Sequence, residues 1–241
     1  MKRNVLIFAF LIFYSSLIKA QDHNSVSQFG AAINFYTGFP QNEFRENIKR
    51  NGYGLNLEGY WKPAVKLPFS IGLNIGVLNY GSVTRKEPFS YTIPDVYVNV
   101  TNQNNIINYH IVAQLDHQFG ILKPYLQLLL GGSYIYTQTK IENQSNQQEI
   151  ASSTNFEDYA FSTGVGAGMM FRVSKGKPTE TGEKTFNELF INLKVSYLFG
   201  SNAKYLKEGS IRSAGGGQIN YDVLESKTDL FGLHLGVVFT F

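Results

Sequence analysis

The residues able to do chemistry are few and dispersed. The chain has four histidines, His23, His110, His117 and His234, and no cysteine. Hydrolysis of a lipid ester would need a histidine beside a hydroxyl nucleophile and an acid. The neighbourhoods NYHIVAQ and GLHLGVV offer neither. Scattered histidines without cysteine also make a poor ligand set, so neither a metal nor another cofactor is expected. The stretch SAGGGQIN, residues 213–220, lacks the Lys-Ser/Thr and the following helix of a phosphate loop. Five ionisable residues remain, Glu58, Asp116, Arg172, Lys194 and His234, and each sits inside an otherwise apolar segment.

Those segments alternate. In DLFGLHLGVVFTF, the residues Phe231, Leu233, Leu235, Val237, Phe239 and Phe241 fall on one side, while Gly232, His234, Gly236 and Thr240 fall on the other. Period two is the signature of a strand. The pattern recurs in QFGAAINFY, YGLNLEGYW, FSIGLNIGVLNY, IINYHIVAQLD, PYLQLLLGGSYIYT, YAFSTGVGAGMMFRV and LFINLKVSYLF. That makes eight segments, each near the length a tilted strand needs to cross a membrane. The five ionisable residues all lie on the small, polar side. A soluble sandwich or lipocalin-like barrel would also alternate, but it would bury its apolar faces and show polar ones to water. Here aromatics gather near strand ends, as at the two faces of a bilayer. The fold class expected is all-β, an eight-stranded antiparallel transmembrane barrel with the charges inside.

The first 20 residues read as a secretory signal: Lys2 and Arg3, an apolar run from Val5 to Ile18, then Lys19-Ala20-Gln21. The run is short for a spanning helix, and no later stretch is long enough either. Removing it takes away three bases and no acid, so the 21 bases fall to match the 18 acids. A neutral domain over residues 21–241 has no basic field to attract nucleic acid. Without cysteine after the signal, a lipid anchor is not expected. Long and short connections alternate between the strands, as outer loops and periplasmic turns do. The three shorter ones carry Lys62-Pro63, Lys123-Pro124 and Lys177-Pro178, read as water-facing turns. Both ends of the domain then fall on the periplasmic side.

The signal ending in KAQ, the period-two strands and the terminal GVVFTF resemble the outer-membrane β-barrel domain proteins common in Bacteroidota, with the shape of an OmpA-type eight-stranded membrane domain. The resemblance implies residence in the outer membrane, among lipid and lipopolysaccharide. It also implies insertion by the barrel assembly machinery, with Phe239 and Phe241 as part of the assembly signal. A family of this kind fixes place and fold better than activity.

Three functions stay open. An eight-stranded barrel is just wide enough for side chains to fill, so Glu58, Asp116, Arg172, Lys194 and His234 form either a structural plug or a narrow path for ions or small solutes. In the plug, Glu58 is expected to pair with Arg172 or Lys194. A plugged barrel has a structural or interaction role, alone or beside another envelope protein. A lipid A-modifying enzyme is the third reading. The segment NAKYLKEGSIR offers Lys204, Tyr205, Lys207 and Arg212 as candidate contacts to lipopolysaccharide head groups or to a partner.

Overall fold

The computed structural model describes residues 28–64, 67–90, 93–117, 119–144, 148–176, 186–215 and 218–241. The expected signal over residues 1–20, His23 and Lys177-Pro178 lie outside them. The described elements are β1 (Gln28–Pro40), α1 (Asn42–Ile48), β2 (Gly52–Lys62), β3 (Phe69–Ser90), β4 (Ile93–Asp116), β5 (Leu122–Asn143), β6 (Glu149–Lys175), β7 (Glu188–Gly200), β8 (Asn202–Gly215), β9 (Gln218–Lys227) and β10 (Leu230–Thr240).

Eight of these strands close an antiparallel ring in the order β1, β10, β7, β6, β5, β4, β3, β2. The seam is β1 against β10, in register from Gly30 with Thr240 to Pro40 with Leu230. Every barrel strand is paired on both sides at the level of the ring, so no edge faces outward there. The strand pattern of the sequence is obeyed residue by residue. Phe29, Ile33, Phe35, Leu55, Leu57, Leu73, Ile111, Leu126, Leu128, Phe161 and Leu235 all point out and are exposed. Leu128 at 65 % and Leu73 at 62 % exposure would be untenable in water as parts of one continuous belt. A hydrocarbon surround removes that cost, and a closed ring satisfies the backbone there.

Aromatic side chains rim the belt. Tyr134 stacks between Tyr136 and Tyr159, with ring centroids 5.0 and 4.8 Å apart. Trp61, Phe171 and Phe241 are exposed at the opposite end. Two aromatics near strand ends, which the sequence pattern counts among the rim residues, turn inward instead: Tyr80 is 3 % and Tyr125 4 % exposed. Tyr80 shares the inward parity of Leu78, just before the register of β3 on β4 shifts between Asn79 and Gly81, and Tyr125 shares the inward parity of Gln127.

The outer connections carry further strand. β2 pairs with β3 only as far as Tyr53 with Asn79, and β7 pairs with β6 only as far as Gly200 with Ser162. Beyond that height β3 to β6 continue as an open four-stranded sheet, reaching Ser90 with Ile93 and Glu142 with Glu149. The polar composition there suits a sheet wet on its faces rather than one in lipid. β8 and β9 form a separate hairpin between β7 and β10.

Candidate functional site: the filled lumen

Inward-facing residues stack in tiers. At the outer end lies an apolar tier of Leu78, Ile106, Leu129, Leu198 and Leu230, each 5 % exposed or less. The short helix α1 covers it. Phe44 is fully buried and Ile48 8 % exposed; Phe44 meets the Tyr205 ring edge-on, with centroids 5.0 Å apart. Polar bonds pin this lid and the hairpin beside it. Asn47 Nδ2 donates to Tyr205 Oη at 2.8 Å, and Asn42 Nδ2 donates to Asp229 Oδ2 at 2.8 Å. Tyr80 Oη donates to the Leu206 carbonyl at 3.1 Å.

The middle tier is polar. Glu58 and Lys194 form an ion pair in which neither side chain is exposed. Asn74 Nδ2 donates to the same carboxylate oxygen at 3.0 Å. Tyr60 Oη and Gln127 Nε2 donate to the other, the latter at 3.1 Å. Four donors on one carboxylate are what a buried charge requires, since an unpaired one costs several kcal/mol. Around it, Asn192 donates to Asn34 at 2.8 Å, Asn34 to Asn56 at 3.1 Å, and Tyr125 Oη to Asn192 at 2.7 Å. Room for these side chains comes from glycine. A Cβ on Gly168 would run into the Tyr125 ring, and one on Gly232 would lie 2.5 Å from Ser196 Oγ.

Toward the end that holds Gln28 and Phe241 a second apolar tier follows, made by Ala32, Tyr125, Met170, Phe190 and Val238, with Tyr60 packed against it. Below it stand Asp116, Lys62 and Lys123, and Arg172 with Glu188 at 2.8 Å.

Glu58 therefore meets Lys194 and not Arg172, whose partner is Glu188 on the neighbouring strand. Glu58 and Asp116 are joined only through amides: Gln127 Nε2 also donates to Gln114 Oε1 at 2.9 Å, and Gln114 Nε2 to Asp116 Oδ2 at 3.3 Å. His234 joins no ion pair. Its Nε2 lies 3.0 Å from Ser196 Oγ, and its ring stacks on Tyr36 at 4.3 Å. His110 Nε2 likewise sits 2.5 Å from Ser162 Oγ. These His–Ser contacts join different strands, so no local pattern in the sequence could reveal them.

Lys62 and Lys123, read from the sequence as turn residues, are each 8 % exposed and point into the lumen. The adjacent prolines masked their parity. Lys62 continues the inward series of Glu58 and Tyr60, and Lys123 that of Tyr125 and Gln127. Tyr205 also departs from expectation. It is 1 % exposed, held in the lid by Phe44, Asn47 and Ser226, and is not available as a loop contact. Lys204 and Arg212 are exposed on the hairpin and Lys207 half-buried. Phe239 and Phe241 lie at the end of the seam where β1 begins, and Phe241 N donates to the Phe29 carbonyl at 2.8 Å.

No family model matches the chain, and no curated protein matches it. Among solved structures it is similar to Neisserial surface protein A, at 9 % identity over 89 % of this chain and 95 % of that one, TM-score 0.37. It is similar to Ail, the attachment invasion locus protein of Yersinia pestis, at 11 % identity over 89 % and 97 %, TM-score 0.35. It is similar as well to a major outer membrane protein from Thermus thermophilus, at 11 % identity over 90 % and 100 %, TM-score 0.43. The closed antiparallel ring, the apolar belt between aromatic rims and the polar interior make the chain itself an eight-stranded β-barrel of the outer membrane.

Proposed function

We propose that this barrel is a closed structural and interaction protein of the cell envelope, with a lumen plugged by its own side chains. One observation carries the reading: the Glu58–Lys194 tier lies between two apolar tiers, with α1 seated over the outer one. An ion would have to shed its water twice and pass a carboxylate already holding four donors. The surface left for work is then extracellular, namely the protruding sheet of β3 to β6 and the β8–β9 hairpin. On the hairpin, Lys204 and Arg212 remain the candidates for lipopolysaccharide or a partner protein. Phe239 and Phe241 are proposed as the segment read by the barrel assembly machinery. The lumenal His–Ser pairs are read as packing contacts, because both histidines are 3 % exposed; lipid modification is accordingly not part of the proposal.

Planar-bilayer recording of the refolded protein tests the plug. No discrete conductance steps are expected. Reproducible steps would replace the plug with the narrow-channel reading.

A further inference from the structure

Histidines aside, the inward-facing ionisable side chains of the spanning strands do not balance among the described residues. Lys62, Lys123, Arg172 and Lys194 face only Glu58, Asp116 and Glu188. Glu58 has one cation, Lys194; Glu188 pairs with Arg172 and also lies in Coulombic reach of Lys123. Asp116 has two. Lys62 Nζ lies 2.7 Å and Lys123 Nζ 3.4 Å from the same oxygen, Oδ1. The second oxygen accepts from Gln114.

All three charged residues are less than a tenth exposed. An ammonium group carries three donors, and 3.4 Å is long for a hydrogen bond. Lys123 is thus held by Asp116 at longer range than Lys62, with donors to spare. Around it also stand Glu188, within Coulombic reach, and the face of the Phe190 ring, 5.8 Å from Nζ to centroid. Lys62, Lys123 and Asp116 line a cavity at the periplasmic end of the lumen, together with Gln28, Ser70 and Tyr60. A surplus buried cation is costly unless countered, and the cavity gives a counter-ion a way in.

We propose that this vestibule binds a small oxyanion, a carboxylate or phosphate group, seated between Lys62 and Lys123 and entering from the periplasm. Two ammonium groups act as point charges and impose no planar fork, so both anion shapes are accepted. Ser70 and Gln28 add polar groups to the wall. The anion comes either free in solution or as the terminal carboxylate of a peptide.

The test uses the domain of residues 21–241, refolded in detergent and isotope-labelled. Backbone amide shifts of Ser70, Gln114 and Lys123 are followed on adding inorganic phosphate, acetate, or a short peptide with a free or an amidated C-terminus. Saturable shifts with phosphate or acetate support a site for free anions. Saturable shifts with the free-ended but not the amidated peptide support a chain terminus. Lys123→Met leaves the Lys62–Asp116 pair in place and is expected to weaken binding roughly tenfold or more. Lys123→Arg, which keeps the charge and controls for folding, is expected to retain it, as is the surface change Lys204→Met. Shifts that never saturate with any probe overturn the proposal, as does unaltered affinity in a folded Lys123→Met protein.

Discussion

Glu58 and Asp116 are both acids on the inner wall of the barrel, yet their surroundings solve opposite problems. Glu58 is matched by one cation and three neutral donors, and apolar tiers close it off above and below. Asp116 is outnumbered by two lysines beside an open cavity. The contrast teaches that burial alone does not mark a structural charge. What matters is whether the protein supplies a complete set of partners itself. Where it does, the charge is part of the architecture; where it does not, solvent species have a role.

The largest effect should come from breaking the complete set. Glu58→Gln or Lys194→Met alone leaves an uncompensated buried group and should cost roughly 3 to 5 kcal/mol in urea unfolding from lipid vesicles. The double change should cost clearly less than the sum of the two. Strict additivity would show that the two residues do not act as a pair.

Removing the lid comes next. Phe44→Ala empties a fully buried site and should destabilise the α1 region by about 3 kcal/mol, read as faster hydrogen exchange of α1 amides. The barrel should stay non-conducting, because the Glu58 tier and the lower apolar tier remain. Conductance in this variant would place the seal in the lid alone.

A smaller cost is expected at the open site. Asp116→Asn should lose roughly 1 to 2 kcal/mol in low-anion buffer, because water and solutes reach the cavity, and added phosphate should recover part of that loss. A cost equal to that of Glu58→Gln would erase the distinction between the two regions. Smallest in vitro should be deletion of Phe241, which removes an exposed ring and two backbone bonds to Phe29. Urea stability should change by about 1 kcal/mol or less, while the amount inserted in cells falls. Normal surface levels without Phe241 would count against an assembly signal.

The ring of strands was legible because lipid outside and side-chain filling inside enforce strict alternation. Phe35 cannot change face without dragging Asn34 into the membrane. The residues of the lumen were legible for the same reason, from Glu58 to His234. Their partners were not. Which cation reaches Glu58 depends on stagger around the ring, and Lys194 stands three strands away from it along the closed sheet. Lys62 and Lys123 were hidden by their prolines, which signal turns even where a strand continues to the rim. Tyr205 and α1 were hidden because a lid is held by contacts distant in sequence, and its polar surroundings read as ordinary loop. The extension of β3 to β6 was hidden because a sheet wet on its faces need not alternate in hydropathy.

The seam carries a kinetic consequence. Gly30 pairs with Thr240, so the ring cannot close until nearly the whole chain is present. Neighbouring hairpins form over short spans, whereas this contact spans almost the full length. By loop-closure entropy alone, a tenfold longer span costs about 2 kcal/mol more, and non-local pairing of this kind is slow. Until it forms, β1 and β10 each present one unpaired edge beneath an apolar face, a combination prone to pairing with the wrong strand. Joining the two strands by a short covalent link and opening the chain at an outer loop should therefore speed closure without altering the finished ring.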